Sequence, residues 1–375
     1  MNILLLAPHP FYANRGTPIA VRFVCEGLVG LGHSVDVLTY HVGEDLDIPG
    51  VSISRIRRPP FVGSVPIGPS WQKFVCDVYM AFALRRMLRT TRYDLVHAVE
   101  ESAFLAARLE LPFVFDMDSL MSRQLTEKSP LLWPAARVFA MLERHALRRC
   151  AGVLAVCESL AREARKQQGN VHLLPDVAMA GHGPGALSAE VTAAAGVKLM
   201  YVGNLQRYQG VDLMLQAFAA AAADYPQAAL IVVGGSPGDI AACRRKAEAL
   251  GVARQVRFAG PAPVETLGRV LEHADILVSP RIKGENTPMK LYSYLLSGKP
   301  VLATRLPTHT QVVSDANAVL TEPTVASMAD GMRRLLGSPE LRTRLGAAGR
   351  NLAEESYSLE AFRRRLGDFY RTVAR

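Results

Sequence analysis

Two doubly wound parallel-sheet domains in tandem are what this 375-residue sequence predicts. Three observations carry the prediction. Short, continuous apolar runs alternate with segments of helical spacing, the pattern of parallel strands covered on both faces. The alternation pauses at a stretch of small residues, 178–196, and resumes at Lys198. Right-handed crossovers turn such an alternation into a doubly wound sheet, and here it happens twice.

In the first half the strand-like runs are NILLLA (2–7), SVDVLTY (34–40), VSISRI (51–56), DLVHAV (94–99), PFVFDM (112–117), GVLAV (152–156) and VHLLP (171–175). Helical spacing fills 18–31, 71–91, 102–109, 134–150 and 158–166. The stretch AMAGHGPGALSAEVTAAAG (178–196) has the composition of an inter-domain linker. The second half alternates KLMYV, helix 211–224, AALIVVG (228–234), helix 238–250, QVRFAG (255–260), helix 263–273 and DILVSP (275–280). Helix 288–297, PVLAT (300–304), AVLTE (318–322) and helices 324–336 and 338–355 follow. YSLEAFRRRLGDFY (357–370) is left over as a basic amphipathic helix. The predicted domains are Rossmann-like, at 1–180 and 198–356, with a linker at 181–197 and a last helix at 357–375.

Hydrophobic residues are 49% and charged residues 21%, as in soluble proteins with sizeable cores. No apolar run reaches the roughly 18 residues needed to cross a bilayer. The start, MNILLLAPHP, lacks a basic n-region and reads as a first strand rather than a signal peptide. The five cysteines form no CxxC or Cys/His set, so reduced, buried thiols and a cytoplasmic location are expected. Cys157 follows an apolar run and reads as core rather than nucleophile. The net charge of +9 suggests an anionic partner. Its clusters, RIRR (55–58), LRRMLRTTR (84–92) and ERHALRRC (143–150), lack the aromatic interleaving of single-strand binders, so nucleic acid is not expected. Within Arg55–Arg92, Trp71, Phe74, Val75, Val78 and Phe82 share a helix with basic ends. That helix fits an anionic membrane surface or, equally, a core-facing role.

Ligands of doubly wound sheets sit beyond the carboxyl ends of the strands. After the first strand, Gly16-Thr17-Pro18 opens a helix that Thr17 can cap, with free amides toward an anion; this is no GxGxxG. After DLVHAV come Glu100 and Glu101, suited to a polyhydroxyl substrate or to a helix start, while His97 lies inside the strand as a structural histidine. After PFVFDM come Asp116, Asp118 and Ser119. Asp-x-Asp alone does not specify the oxygens that Mg²⁺ needs, and no metal site is expected.

In the second half, Gly203-Asn204-Leu205 leaves a strand, Arg207 and Gln209 follow, and Gly210 opens a helix. Arg207 is the fixed cation of that loop, placed to neutralise a diphosphate. After Pro280 the loop RIKGENT carries Arg281, Lys283 and Glu285. Pro288 stands near a helix start, which tolerates its missing N–H. The amides of Asn286, Thr287, Met289 and Lys290 suit phosphate oxygens, and Glu285 suits sugar hydroxyls.

The motifs GTPIAVRFVCEGLVGLGHSVDVLTY, YVGNLQRYQGVDLMLQAF, QVRFAGPAPVETLGRVLEHADILVSPR and GENTPMKLYSYLLSGKPVLAT together resemble the retaining GT-B glycosyltransferases of family 4, over nearly the whole chain. The resemblance implies two Rossmann-like domains facing a central cleft, with the last helix packed back on the first. It implies a nucleotide-sugar donor, UDP- or GDP-linked, held mainly by the second domain. A glycan or lipid-linked acceptor enters from the first, and neither cofactor nor metal is needed. It makes Glu285, Arg207 and Asp118 the catalytic group. Gly16, Thr17, Gly203, Asn204, Asn286, Thr287, Pro288, Met289, Lys290 and Ser293 join Arg207 and Glu285 as donor contacts. Glu100, Glu101, Asp116 and Ser119 stand on the acceptor side. The sequence departs from the family at four places. Ser293 replaces the second carboxylate of a pair eight residues apart, Asn204 and Gln209 replace an Arg and a Lys, and Asp118 replaces a histidine. Two other readings fit the same shape: a nucleotide-sugar epimerase using Asp118, Glu100 and Glu101, and a non-catalytic subunit assisting a partner transferase.

Overall fold

A computed structural model describes residues 1–13, 16–66, 68–179, 181–194, 196–284 and 286–373. The chain folds as two compact units, Met1–Asp176 with Glu360–Arg375, and Val177–Leu359.

In the first unit seven strands, β1 (Asn2–Ala7), β2 (Ser34–Thr39), β3 (Val51–Arg55), β4 (Leu95–Val99), β5 (Phe113–Met117), β6 (Gly152–Ala155) and β7 (Val171–Leu173), lie in the order β3-β2-β1-β4-β5-β6-β7. All neighbours are parallel; Ile3 pairs with Val35 on one side and Leu95 on the other. Both faces of β1, β4 and β5 are buried, which is why those strands are continuously apolar rather than alternating. One face is covered by Trp71–Thr90, Trp133–Arg149 and Glu158–Ala164, whose Met80, Leu84, Leu147 and Leu160 pack into one core with Val96 and Phe115. The last helix, Leu359–Val373, also packs on this unit: Leu366 and Phe369 are fully buried. Gly27 and Gly152 make room for it, because a Cβ would lie 2.7 Å from the Leu366 side chain and 2.8 Å from Phe369.

The second unit has six parallel strands, β8 (Lys198–Val202), β9 (Ala229–Val233), β10 (Val256–Gly260), β11 (Ile276–Ser279), β12 (Val301–Thr304) and β13 (Val319–Thr321), in the order β10-β9-β8-β11-β12-β13. Met214, Phe218, Met332 and Leu335 fill the core on one face. Val270, Leu271, Leu291 and Leu295 fill it on the other. The stretch 178–196 packs on this unit. Ser188 caps a short helix, Ala189–Thr192, and Val191 joins the core. Gly183 N–H donates to the Glu265 carbonyl at 2.7 Å, and a Cβ on Gly181 would lie 2.8 Å from that same oxygen. Its small residues therefore allow close backbone approach.

Differences from the sequence reading are local. Met121–Lys128 forms a helix that the sparse apolar pattern of MSRQLTEK concealed; buried Glu143 anchors it, accepting from Ser122 N–H at 3.0 Å and Ser122 Oγ at 2.6 Å. Segment 102–109 contributes a single α-turn, Ala103–Ala106, after a 3₁₀ turn at Glu100–Ser102. All five cysteines are free and buried. Burial raises the pKa of Cys25, Cys76, Cys150 and Cys243, which keeps them as unreactive thiols. No helix among the described residues is long and apolar enough to cross a membrane.

Candidate active site

Strand order reverses between β1 and β4 in the first sheet and between β8 and β11 in the second. Crevices open at such switch points, beyond the carboxyl ends. The four loops concerned carry most of the residues singled out from sequence.

In the second unit the loops after β8 and β11 are locked together. Ile282 N–H donates to the Tyr208 carbonyl at 3.0 Å. Gly210 has φ 73°, and a Cβ there would lie 1.9 Å from the Pro280 carbonyl oxygen. Gly210→Ala is therefore expected to destabilise by about 2–4 kcal/mol, combining a left-handed backbone with a clash against main chain. Chemical denaturation of the variant measures it; an unchanged midpoint would refute the contact. Tyr201 O–H holds the turn by donating to the Asn204 carbonyl at 2.5 Å.

The loop after β11 folds around a buried arginine. Arg281 Nη1 donates to the Asn286 carbonyl at 2.7 Å and to Thr308 Oγ1 at 3.0 Å. Its guanidinium lies 5.2 Å from the Tyr208 ring centroid. Lys290, at the start of Lys290–Leu296, points its Nζ at Gln209 Oε1 (3.3 Å) and over the Tyr201 ring, 3.8 Å from the centroid. Burial, then the charge of Arg281, hold the Lys290 ammonium well below the usual lysine range. Burial also lowers Arg281. Two buried polar atoms here, Arg281 Nε and Thr287 Oγ1, have no hydrogen-bond partner among the described residues. Buried orphan donors beside two buried cations form an environment that an anion would satisfy. Gly203 borders it: a Cβ would sit 3.2 Å from Lys290 Nζ. Behind it, His309 bonds Ser279 Oγ (2.8 Å) and the Thr304 carbonyl (2.9 Å), and burial pushes its pKa down to about 3, so it is a neutral brace.

Arg207, by contrast, is exposed in a 3₁₀ turn, Arg207–Gln209, and Asn204 is exposed before it. Glu285 lies outside the described residues. The Asn286 carbonyl accepts from Arg281 and from Thr308 Oγ1, and the Pro288 and Met289 carbonyls accept from Leu291 and Tyr292 N–H. Ser293 is buried, its Oγ accepting from Met179 N–H at 3.1 Å. It borders a cavity of about 410 Å³ lined also by Met179, Leu271, Lys299 and Arg350.

In the first unit the corresponding loops gather carboxylates. Glu100 (φ 49°) and Glu101 stand in the 3₁₀ turn after β4. Lys73 Nζ lies 2.6 Å from Glu101 Oε1 and 3.7 Å from Glu100 Oε2. Ser119 Oγ donates to Glu100 Oε1 at 2.8 Å. Asp116, the fourth residue of β5, bonds His97 Nε2 at 3.0 Å, and His97 Nδ1 meets the Tyr370 hydroxyl of the last helix at 2.8 Å. His97 is fully buried and braced on both nitrogens. Thr17 hydrogen-bonds Asp118, but burial and then the charges of Asp116, Glu100 and Asp176 push Asp118 well above the carboxylate range. Burial, followed by Asp116, pushes Asp176 up to about 7. Burial also carries Glu101 up to about 8, with Glu100 and Asp77 opposing the pull of Lys73. Gly16 starts Gly16–Gly30 in open space, with nothing within 4 Å of a Cβ. Among the described residues no group of three or more His, Cys, Asp or Glu is arranged to hold a metal ion. Sequence reasoning passed over Tyr201, Tyr208, Thr308, His309, Lys73 and Asp176, whose roles arise from long-range packing. Asp176 alone carried a signal, following the run VHLLP at a carboxyl edge.

Twin doubly wound parallel sheets, each with a topological switch point, define an α/β protein of two Rossmann-like units. The chain belongs to the family 4 glycosyltransferases: residues 15–176 match the family described as Glycosyltransferase Family 4, and residues 192–352 the one described as Glycosyl transferases group 1. A D-inositol 3-phosphate glycosyltransferase of Corynebacterium urealyticum is 29% identical over 183 residues, 46% of this chain and 42% of that protein. That match thus spans less than half of the relative's length. The phosphatidyl-myo-inositol mannosyltransferase of Mycobacterium leprae is 24% identical over 387 residues, 100% of this chain and 97% of that protein. Among solved structures, sucrose-phosphate synthase from Thermosynechococcus elongatus superposes with a TM-score of 0.82 at 20% identity, over 100% of this chain and 99% of that one. Anabaena HepE in complex with UDP gives 0.75 at 14% identity, over 99% and 100%.

Proposed function

We propose that this glycosyltransferase moves a sugar, with retention of configuration, from a UDP- or GDP-linked donor to a hydroxyl of a glycan or lipid-linked acceptor. The observation that carries the reading is the buried Arg281–Lys290 pair with the unpartnered Thr287 hydroxyl at the switch point of the second sheet. A sugar–diphosphate bond breaks through an oxocarbenium-like state while negative charge grows on the leaving phosphate. Fixed cations at that phosphate stabilise the transition state more than the ground state. Arg281 and Lys290 supply this charge in the proposal, and no metal is assigned to the task. Arg207, exposed on its turn, assists. Glu285 orients the sugar, and Ser293 with its neighbouring cavity takes the ribose in place of a carboxylate.

The acceptor belongs to the first unit, where Glu100, Asp116, Asp118 and Ser119 offer both hydrogen-bond acceptors and, in raised carboxyls, donors to a polyol. The leaving phosphate takes the acceptor's proton on the same face of the sugar, so no carboxylate nucleophile of the glycosidase kind is invoked. A cytoplasmic reaction is part of the proposal; the free, buried thiols support it.

The test is a donor panel with product analysis. Released nucleoside diphosphate and a glycosylated acceptor are expected, whereas an epimerised donor, or binding without turnover, would overturn the reading. Glu285→Gln is expected to lower kcat by about 10²-fold and Arg207→Ala to raise KM, by the usual sizes of such losses. Turnover untouched in both variants would remove Glu285 and Arg207 from the site.

A further inference from the structure

The chain has two tryptophans, Trp71 and Trp133. Each is the first residue of a long helix, Trp71–Thr90 and Trp133–Arg149, and each is more than half exposed, at 60% and 56%. The two helices are built alike. In the first, Trp71, Phe74, Val78 and Phe82 form an exposed stripe at i, i+3, i+7 and i+11, followed on the same helix by exposed Arg85, Arg86 and Arg89. In the second, Trp133, Val138 and Met141 are exposed in the first half, and exposed Arg144 and Arg148 follow. Arg137 packs its guanidinium 5.5 Å from the Trp133 ring. The loop between β3 and the first helix carries a bare apolar side chain, Phe61 at 98% exposure, and Leu131, at 87%, stands just ahead of the second. Both helices pack their inner sides into one core on one face of the first sheet, so their outer stripes belong to the same side of the first unit.

Charge is segregated with the same consistency. Residues 55–92 hold eight Lys or Arg against one acidic residue, and 131–150 hold four Arg against one. Both acidic residues turn inward. Asp77 accepts from the Tyr40 hydroxyl, and Glu143 is taken by Ser122. An apolar stripe that served a second protein through burial alone would not need its flanks cleared of acid. Aromatic side chains beside arginines, with no exposed carboxylate on either helix, match a surface with an apolar interior and a negatively charged rim.

We propose that this two-helix face docks the enzyme on an anionic lipid bilayer. The tryptophans, phenylalanines and Leu131 enter the headgroup–acyl boundary, and the arginines of the helix ends meet lipid phosphates. The helices lie in the interface rather than span it. Docking in this way holds the first unit at a lipid surface.

Because both tryptophans sit on the proposed surface, intrinsic fluorescence reads docking directly. The full chain is mixed with phosphatidylcholine vesicles, with and without phosphatidylglycerol. The expected result is a blue shift and quenching by brominated acyl chains with the anionic vesicles, reversed by added salt. Phe74→Ser/Phe82→Ser and Arg85→Glu/Arg86→Glu are each expected to lower vesicle partitioning about tenfold or more, since each arginine and each buried apolar group contributes separately. Circular dichroism confirms that each variant is folded. Turnover with a water-soluble acceptor is expected to survive both double variants, which separates loss of docking from failure of the transfer reading. Emission unchanged by anionic vesicles, or equal binding to phosphatidylcholine alone, would overturn the proposal. So would a concentration-dependent dimer in lipid-free sedimentation that both double variants abolish, since a second copy would then cover the face.

Discussion

Lys290→Met is expected to lower kcat/KM for the nucleotide-sugar donor by about 10²- to 10³-fold, the usual size of losing one preorganised charge at a developing oxyanion. It is also expected to leave the unliganded protein more stable. Lys290 is buried beside Arg281, and burial holds its folded pKa well below the unfolded value near 10.5. Between those two values the unfolded chain binds more protons than the folded one. The native lysine therefore costs stability at neutral pH, a cost that shrinks as pH rises toward the unfolded value. Removing it raises the unfolding temperature at neutral pH and progressively less above that. Opposite movements of activity and stability are what a site charge gives and a structural charge does not. A donor diphosphate brings negative charge next to the same nitrogen and favours its protonated form. Unaltered kcat/KM would refute the role of Lys290.

The second large effect is expected in the first unit. Lys73→Met removes the cation 2.6 Å from Glu101 and 3.7 Å from Glu100. The cost of deleting one partner of a buried ion pair, about 3–5 kcal/mol, is reached above about pH 8, where Glu101 is ionised and its charge stays buried; below that, protonation of Glu101 relieves it. Burial alone would lower the Lys73 pKa, but the attraction of Glu101 and Glu100 outweighs it and raises it, so the lysine is charged at all working pH values. The carboxyls behave in the other sense. Glu101 is raised to about 8 from 4.5, and Asp176 to about 7 from 3.8. Their protonated forms favour the folded state. That contribution is complete below the unfolded values and is lost as pH rises through about 7 to 8. The parent protein should thus lose stability from mildly acid to mildly alkaline pH, and Lys73→Met should steepen the loss. Urea unfolding at several pH values checks both. A variant whose stability deficit is flat with pH would show that Glu101 ionises independently of Lys73.

Much of the architecture was legible because a parallel sheet buried on both faces leaves continuous apolar runs, as at β1, β4 and β9, while β3 alternates. A helix such as Met121–Lys128 was not, because a buried carboxylate from a distant helix, Glu143, holds it rather than an apolar stripe of its own. The loops at the switch points were legible from the rule that ligands sit at the carboxyl edge. Which cation in them is buried was not. Arg207 and Arg281 look alike as residues, and it is the ring of Tyr208 and the Thr308 hydroxyl, supplied by other loops, that distinguish them. The same applies to Ser293. Its departure from a carboxylate was visible in sequence, while its engagement with Met179 N–H depends on a segment read as linker.

The helix Leu359–Val373 bears on the order in which the protein comes into being. Tyr370 completes the hydrogen bonding of His97, and Leu366 and Phe369 fill space beside Gly27 and Gly152. On the ribosome most of the N-terminal unit emerges before the second unit, yet part of its core is made only after that unit is complete. The second unit is one uninterrupted segment, Val177–Leu359, and can finish while the first still exposes an apolar face. The N-terminal unit thus begins folding first and finishes last, and any release of the nascent chain before Tyr370 leaves it open.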